Sequence, residues 1–161
     1  MRRWRHGRAA ANPALVEAQV DAGMWVGNHS YSHPHMTELT PSEMDSEISR
    51  TQEAIAAAGG GTPDLFRPPY GETNALQAVE AAHGLTEILW DVDSQDWDNA
   101  TVDQIVQANA TLTDGQVILM HDWPPNTLEA IPRIAETLQA KGLCPGKISP
   151  RTGRAVSPNA E

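Results

Sequence analysis

The sequence has few basic residues, few aromatic residues and no long apolar run. Its 161 residues include eleven lysines and arginines against twenty-one aspartates and glutamates, which gives a formal net charge of −10. Such a chain repels a polyanion, so we expect no nucleic-acid partner and a neutral substrate. No apolar run approaches the roughly 20 residues that a membrane-spanning helix needs, and no signal peptide opens the chain. We therefore expect no membrane partner.

Aromatic residues make up only 5% of the chain, although sugar-binding modules usually rely on aromatic platforms. This argues weakly against a pure binding module. The length and the 40% content of hydrophobic residues fit one globular domain, which we expect to be a monomer. Residues 1–11 hold four arginines and no acidic residue. We interpret residues 1–11 as a non-native or disordered basic arm and residues 12–161 as the domain.

Helix and strand signals alternate along residues 12–161. Predicted helices begin at Asn12, Thr40, Thr73, Thr101 and Asn126. Predicted strands follow the first four helices over residues 24–28, 65–67, 85–92 and 116–121. The predicted apolar stripes of the first two helices are Leu15, Val16 and Val20, and Met44, Ile48 and Ile55. This order, with a helix last, predicts an α/β fold with parallel strands joined by right-handed crossovers, either a barrel or a doubly wound sheet.

Reactive polar side chains lie at or just after the end of every predicted strand. In chain order these are His29, Arg67, the aspartates Asp91, Asp93 and Asp96, and the pair His121 and Asp122. Both candidate folds collect chemistry at the carboxyl ends of their strands, so we expect these groups around one mouth. His29 and His33 are four residues apart, so one helical turn would let both imidazoles share one cation. The alternative for these two histidines is a solvated polar loop.

Four motifs in this chain resemble, in order, those of the polysaccharide deacetylases of carbohydrate esterase family 4. They are His29-Ser30-Tyr31-Ser32-His33, Arg67-Pro68-Pro69-Tyr70-Gly71, Asp93-Ser94-Gln95-Asp96-Trp97 and Leu119-Met120-His121. The chain is most similar to secreted bacterial acetylxylan esterases. The resemblance implies a distorted (β/α) barrel and a location outside the cell. The family's T-F-D-D-G segment, which carries the general base and a third metal ligand, is absent, so we expect an incomplete barrel lacking its first strands.

The resemblance also implies roles for particular residues. His29 and His33 match the metal-binding histidines, and a site of this type suits zinc, cobalt or nickel. His121 matches the general acid, and Asp96 matches the carboxylate that pairs with it and keeps it protonated. Arg67 matches the arginine that holds the catalytic base. Tyr70 matches the residue whose main-chain N–H helps to form the oxyanion site. Trp97 and Leu119 match the walls of the pocket that receives the acetyl methyl group.

The implied function is metal-dependent hydrolysis of acetyl ester or N-acetyl groups on xylan, chitin or peptidoglycan-type glycans, whether polymers or oligosaccharides. Because the motif with the general base is absent, the alternative is a catalytically dead glycan-binding remnant. Cys144 is the single cysteine. In a protein that resembles secreted enzymes it suggests a disulfide partner in the missing segment, and the alternative is an inert buried thiol.

Overall fold

The computed structural model describes residues 8–73 and 76–159, which form two compact units. The first unit comprises the described residues up to Leu89 together with Pro150–Gly153. The second comprises Trp90–Ser149 and the described residues from Arg154 onward. None of the helices in these described ranges is long and apolar enough to cross a bilayer.

The first unit contains four α-helices and one pair of short parallel strands among its described residues. The helices are α1 (Arg8–Ala11), α2 (Pro13–Asp21), α3 (Pro41–Ala57) and α4 (Gln77–Ala82). The strands are β1 (Leu65–Phe66) and β2 (Thr86–Glu87), and Asn28 adds an isolated parallel bridge to Phe66. The parallel pairing agrees with the sequence prediction.

Helix α3 forms where the sequence predicts it because both of its ends carry strong signals. The Thr40 hydroxyl accepts a hydrogen bond from the N–H of Glu43, and the Glu43 carboxylate accepts one from the N–H of Thr40. The predicted core residues Met44, Ile48 and Ile55 are buried. The helix ends at Ala57, before the three glycines at 59–61.

Close contacts with neighbouring side chains explain why residue 60, the second of the three glycines after α3, is a glycine. A Cβ atom at Gly60 would lie 2.5 Å from Cγ2 of Ile55 and 2.8 Å from Cγ1 of Val16. These two side chains form a small core cluster with Ala58. Gly60 therefore lets the chain after α3 pack against α2.

Two details of the first unit differ from the sequence prediction. Of the expected stripe on α2, only Val16 is buried, whereas Leu15 is 63% exposed and Val20 is 40% exposed. In the part of the chain that the structure describes, the predicted strand over residues 24–28 reduces to the bridge at Asn28, and Met24 and Trp25 are exposed. Helix α4 is described from Gln77, with Leu76 in the N-cap position; residues 74–75, which follow the predicted start at Thr73, lie outside the described residues, so that start stays a prediction.

The second unit packs two helices together and contains two strand pairs. Its elements are β3 (Val92–Asp93), α5 (Val102–Ala110), β4 (Ile118–Leu119), α6 (Pro125–Ala140), β5 (Lys147–Ile148) and β6 (Ala155–Val156). Strands β3 and β4 are parallel, and β5 and β6 are antiparallel. Ile105 of α5 packs with Ala130 and Ile134 of α6. The predicted capping box at Thr101 is confirmed by its two hydrogen bonds with Gln104.

The second unit also corrects the sequence prediction. The expected strand over residues 85–92 is two separate strands, β2 and β3, in different units. Helix α6 is not capped by Asn126, because it starts at Pro125 and the Asn126 amide donates to the carbonyl of Ala100 at 2.9 Å. The last helix is followed by the β5–β6 hairpin. Cys144 is exposed, so the alternative of a buried thiol is wrong.

Candidate active site

The two predicted metal-binding histidines lie side by side in the first unit. The ring centroids of His29 and His33 are 4.9 Å apart, and the ring planes meet at 79°. Nδ1 of His29 lies 2.5 Å from the main-chain oxygen of Arg67. A carbonyl oxygen only accepts, so Nδ1 carries the proton and Nε2 is the nitrogen of His29 that can bind a metal.

A tight turn, and not the expected helical turn, brings the two rings together. Ser30 and His33 have φ values of 62° and 58°, in the left-handed region that costs residues with a side chain on the order of 1 kcal/mol or more. The N–H of Ser30 donates to the side-chain oxygen of Asn28 at 3.0 Å, and the N–H of His33 donates to the Ser30 hydroxyl at 3.0 Å. These local hydrogen bonds offset the strained backbone.

Tyr70 adjoins the histidine pair through its ring. Its centroid lies 4.8 Å from that of His33, in an edge-on contact, and 4.1 Å from that of His35, in a parallel stack. Nδ1 of His35 in turn lies 2.8 Å from the Glu72 carboxylate, which raises the pKa of His35 and lowers that of Glu72. Tyr70 has a left-handed backbone, with φ at 58°, and its side chain is exposed.

Arg67 contacts this group through its main chain. Its N–H donates to the Asn28 carbonyl at 2.9 Å, and its own carbonyl accepts from His29. The side chain is half-buried, and burial lowers the pKa of its guanidinium. Within residues 8–73 and 76–159, no carboxylate forms an ion pair with this guanidinium. The role predicted for Arg67, holding a catalytic base, stays a prediction.

The donor set of the first unit fits two positions of a divalent metal site. His29 and His33 offer adjacent imidazoles, and the Arg67 carbonyl fixes the tautomer of His29 as a second-shell partner does in metal proteins. No group of three or more metal-binding side chains occurs among the described residues. Metal binding by His29 and His33, and the choice among zinc, cobalt and nickel, therefore remain predictions.

The second unit places the predicted general acid against a buried carboxylate. Nδ1 of His121 lies 2.7 Å from Oδ1 of Asp96, and the main-chain N–H of His121 donates to Oδ2 at 2.6 Å. The Thr127 hydroxyl also donates to Oδ2, at 2.8 Å. The Asp96 side chain is fully buried, whereas that of His121 is 15% exposed. The ionised carboxylate fixes the Nδ1–H tautomer, so Nε2 is the ring nitrogen that can exchange a proton.

The hydrogen bonds decide the charge of Asp96. Burial alone acts to raise its pKa, but the hydrogen bonds from the ring and main chain of His121 and from Thr127 favour the ionised form more strongly. The net effect is a pKa below the usual value for aspartate. Asp96 is therefore a carboxylate at neutral pH despite being buried.

Trp97 and Leu119, the predicted walls of the acetyl pocket, are also in the second unit and differ in exposure. The Trp97 side chain is half-exposed, and its indole N–H lies 3.3 Å from both carboxylate oxygens of Asp93. Leu119 is buried in β4, opposite Asp93 of β3. Asp91 accepts from the N–H of Val117 and pairs with Arg154, which is consistent with a structural role.

The structure thus brings the predicted residues into two groups. His29, His33, Tyr70 and the main chain of Arg67 form one group, and Asp96 and His121 form the other. Sequence reasoning missed three of the residues that hold these groups, which are Glu47, Glu72 and Thr127. Asp93, which contacts Trp97 four residues later, is among the predicted strand-end aspartates. The three missed residues are 15 to 37 positions away from the groups that they contact.

The comparisons with known proteins agree with these motifs. The sequence model of the polysaccharide deacetylase family matches residues 4–88. A bifunctional xylanase/xylan deacetylase from Cellvibrio japonicus is 52% identical over 153 residues, 94% of this chain and 23% of that protein. A peptidoglycan-N-acetylglucosamine deacetylase from Listeria monocytogenes is 37% identical over 81% of this chain and 28% of its own length. The chain thus spans about a quarter of the length of these two relatives.

A solved structure extends the similarity to the fold. The family 4 carbohydrate esterase from Streptomyces lividans, in complex with acetate, superposes with a TM-score of 0.92 at 74% identity. That match covers 94% of this chain and 79% of the esterase chain. The chain therefore belongs to the polysaccharide deacetylase family. The predicted α/β fold of the polysaccharide deacetylase type is confirmed.

Proposed function

We propose that this chain is a metal-dependent carbohydrate deacetylase that removes acetyl groups from a glycan, with acetylated xylan as its substrate class. The observation that carries the proposal is the His121–Asp96 pair, a proton-handling imidazole held by a fully buried carboxylate. Family membership and the names of the xylan and peptidoglycan deacetylase relatives support the same activity. By family resemblance we also propose that the protein acts outside the cell as a monomer.

His29 and His33 would hold a divalent metal in this proposal. When bound there, zinc, cobalt or nickel supplies Lewis-acid polarisation of the acetyl carbonyl and lowers the pKa of water. The main-chain N–H of Tyr70 would donate a hydrogen bond to the carbonyl oxygen as that oxygen gains negative charge. Trp97 and Leu119 would border the acetyl methyl group.

His121 would complete the reaction as general acid. Asp96 accepts a hydrogen bond from Nδ1–H of His121, so Nδ1 keeps its proton. The proton on Nε2 would therefore be the one transferred to the departing sugar oxygen or nitrogen. The alternative function is a glycan-binding remnant without turnover. Such a remnant would bind the glycan and release no acetate.

Acetate release from acetylated xylan tests the proposal. We expect release to stop with chelator, to return with added Zn²⁺, Co²⁺ or Ni²⁺, and to be lost in His29→Ala and His33→Ala. His83→Ala is the matched control, since His83 contacts Asp45 on α3 and lies outside the proposed site. Chelator-resistant release in both site variants would contradict the metal assignment. Xylan binding without acetate release would favour the remnant. N-acetylglucosamine oligomers assayed in parallel separate ester from amide hydrolysis.

A further inference from the structure

One carboxylate of helix α3 anchors the turn between the two histidines. Oε2 of Glu47 accepts hydrogen bonds from the main-chain N–H groups of Tyr31, at 2.9 Å, and Ser32, at 2.7 Å. Oε1 of Glu47 accepts a third from the Ser32 hydroxyl at 2.8 Å. Hydrogen bonds to an ionised acceptor are shorter and stronger than those between neutral groups. Three of them on one side chain fix both the position and the orientation of the turn.

The helix that carries Glu47 is a rigid support. Its first turn is closed by the Thr40 capping box, and Met44 and Ile48, on either side of Glu47, are buried in the core of the first unit. The same helix holds the start of the turn, because the buried amide of Asn28 donates to the Ile48 carbonyl at 3.0 Å. Glu47 hydrogen-bonds the residues between His29 and His33, and Arg50 of the same helix contacts the ring of Tyr31.

We propose that Glu47 is a positioning residue of the metal site, whose three hydrogen bonds hold the turn so that both imidazoles face one cation. This inference rests on the proposed function, because it takes His29 and His33 as the ligands. Ser30 and His33 have left-handed backbones that such residues rarely adopt. Without the anchor, the turn can relax to more favourable backbone conformations in which the two rings separate. The cation then loses the preformed pair of nitrogens.

Two substitutions separate the hydrogen bonds of Glu47 from its charge. In Glu47→Gln, the amide oxygen can still accept from both N–H groups, and the amide nitrogen can donate to the Ser32 hydroxyl. In Glu47→Ala, all three hydrogen bonds are lost. Glu53→Ala is the matched control, because Glu53 is an exposed glutamate of the same helix with no hydrogen bond to the turn. Ser32→Ala removes one of the three hydrogen bonds.

Binding of Co²⁺ and Zn²⁺ to the full chain, measured by calorimetry, tests the proposal without an activity assay. We expect Glu47→Ala to raise the Kd by roughly 10- to 100-fold, as loss of an outer-shell partner does in metal proteins. Glu47→Gln and Glu53→Ala should stay near the unmodified chain, and Ser32→Ala should show a smaller rise. Hydrogen exchange of the Tyr31 and Ser32 amides should speed up in Glu47→Ala alone. Thermal unfolding checks that each variant is folded.

The outcomes distinguish this proposal from the one on which it rests. An unchanged Kd in folded Glu47→Ala, with binding abolished by His33→Ala, overturns only the role of Glu47. Cation binding that survives both His29→Ala and His33→Ala, or no binding to the unmodified chain, overturns the metal assignment and this inference with it. If Glu47→Ala does not fold, an unchanged Kd in Ser32→Ala overturns the proposal. An equal loss of affinity in Glu47→Gln and Glu47→Ala would show that charge, and not positioning, sets the affinity.

Discussion

Asp96 receives two hydrogen bonds from one residue, His121, one from the ring and one from the main chain. The strand register explains how residues 25 positions apart meet in this way. Asp93 of β3 lies opposite Leu119 of β4, so the chain segments that leave these two strands begin side by side. Because the same carboxylate holds both the backbone and the ring of His121, the position and the orientation of the imidazole are both set by Asp96.

The first prediction concerns the loss of this double contact. In Asp96→Asn, the amide presents one oxygen and one N–H₂ group to three donors, so at least one donor loses its acceptor. We expect acetate release to fall by roughly 10²- to 10⁴-fold, the usual contribution of a general acid, while metal affinity stays unchanged. Asp98→Asn, an exposed neighbour, is the control. Unchanged turnover in Asp96→Asn would contradict the positioning of His121 by Asp96.

A buried pair of carboxyl groups in the first unit gives the second prediction. Glu80 of α4 is 2% exposed and shares a hydrogen bond with Glu87 of β2. Burial is the main cause that raises the pKa of Glu80 to about 7, and the nearby Glu87 charge adds to it. Burial also raises the pKa of Glu87. The pair therefore shares a proton at neutral pH, where exposed carboxylates have lost theirs.

The sign of the effect on stability follows from the raised pKa. Between the unfolded pKa and the folded value near 7, the folded state binds a proton that the unfolded state has released, so the free energy of unfolding falls as pH rises. The free energy of unfolding should fall by about 3 kcal/mol in total, because the pKa rises from 4.5 to about 7 and each pKa unit corresponds to about 1.4 kcal/mol. Glu80→Gln should flatten this pH dependence and be more stable than the unmodified chain at pH 8. Urea unfolding at several pH values measures it, with Glu17→Gln as control. Equal slopes for Glu80→Gln and the unmodified chain would refute the shared proton.

Most of the helices and the four motifs could be predicted from the sequence because their signals are local. The capping boxes at Thr40 and Thr101 close within three residues, and both are present in the structure. Strand lengths could not be predicted, because a strand depends on a neighbour elsewhere in the chain. Residues 24–28 are apolar enough for a strand, yet among the described residues they form a single β-bridge, from Asn28 to Phe66. The apolar pattern of α2 depends on packing in the same way: Val16 packs with Ile55 of α3, whereas Leu15 and Val20 stay exposed.

The supports of the candidate site could not be predicted either. Glu47 lies in the middle of an amphipathic helix, where a glutamate is usually part of the solvated face. Its three hydrogen bonds join it to residues 15 and 16 positions earlier. Motif spacing identifies groups that act on the same chemistry, but it does not identify the side chain that holds a turn from another element.

The third prediction concerns the half-buried guanidinium of Arg67. Its pKa is lowered by burial, and no carboxylate in the described part of the chain forms an ion pair with it. Burying a charge without a partner costs free energy, so Arg67→Met should raise the free energy of unfolding by about 1 kcal/mol. Urea unfolding measures the change, and Arg50→Met, at an exposed position over the ring of Tyr31, is the control. A destabilised Arg67→Met variant would show that the guanidinium has a stabilising partner.

The fourth prediction concerns the orientation of Trp97. The Asp93 carboxylate accepts the indole N–H, and the ring is half-exposed, so it could form a wall of the substrate pocket. If Asp93 holds the ring in place for substrate binding, Asp93→Ala should raise KM for acetylated xylan by roughly 3- to 10-fold and leave kcat nearly unchanged. Trp97→Phe keeps a ring but loses the N–H donor, so it should show a similar rise.

The double variant decides whether the hydrogen bond causes both effects. When two residues act through one shared contact, removing the second partner adds little to the loss of the first. Asp93→Ala with Trp97→Phe should therefore have nearly the same KM as either single variant, and Asp98→Ala should match the unmodified chain. Additive rises in KM would mean that Asp93 and Trp97 contact the substrate independently. A fall in kcat with KM unchanged would instead assign Asp93 to the reaction itself and remove Trp97 from the pocket.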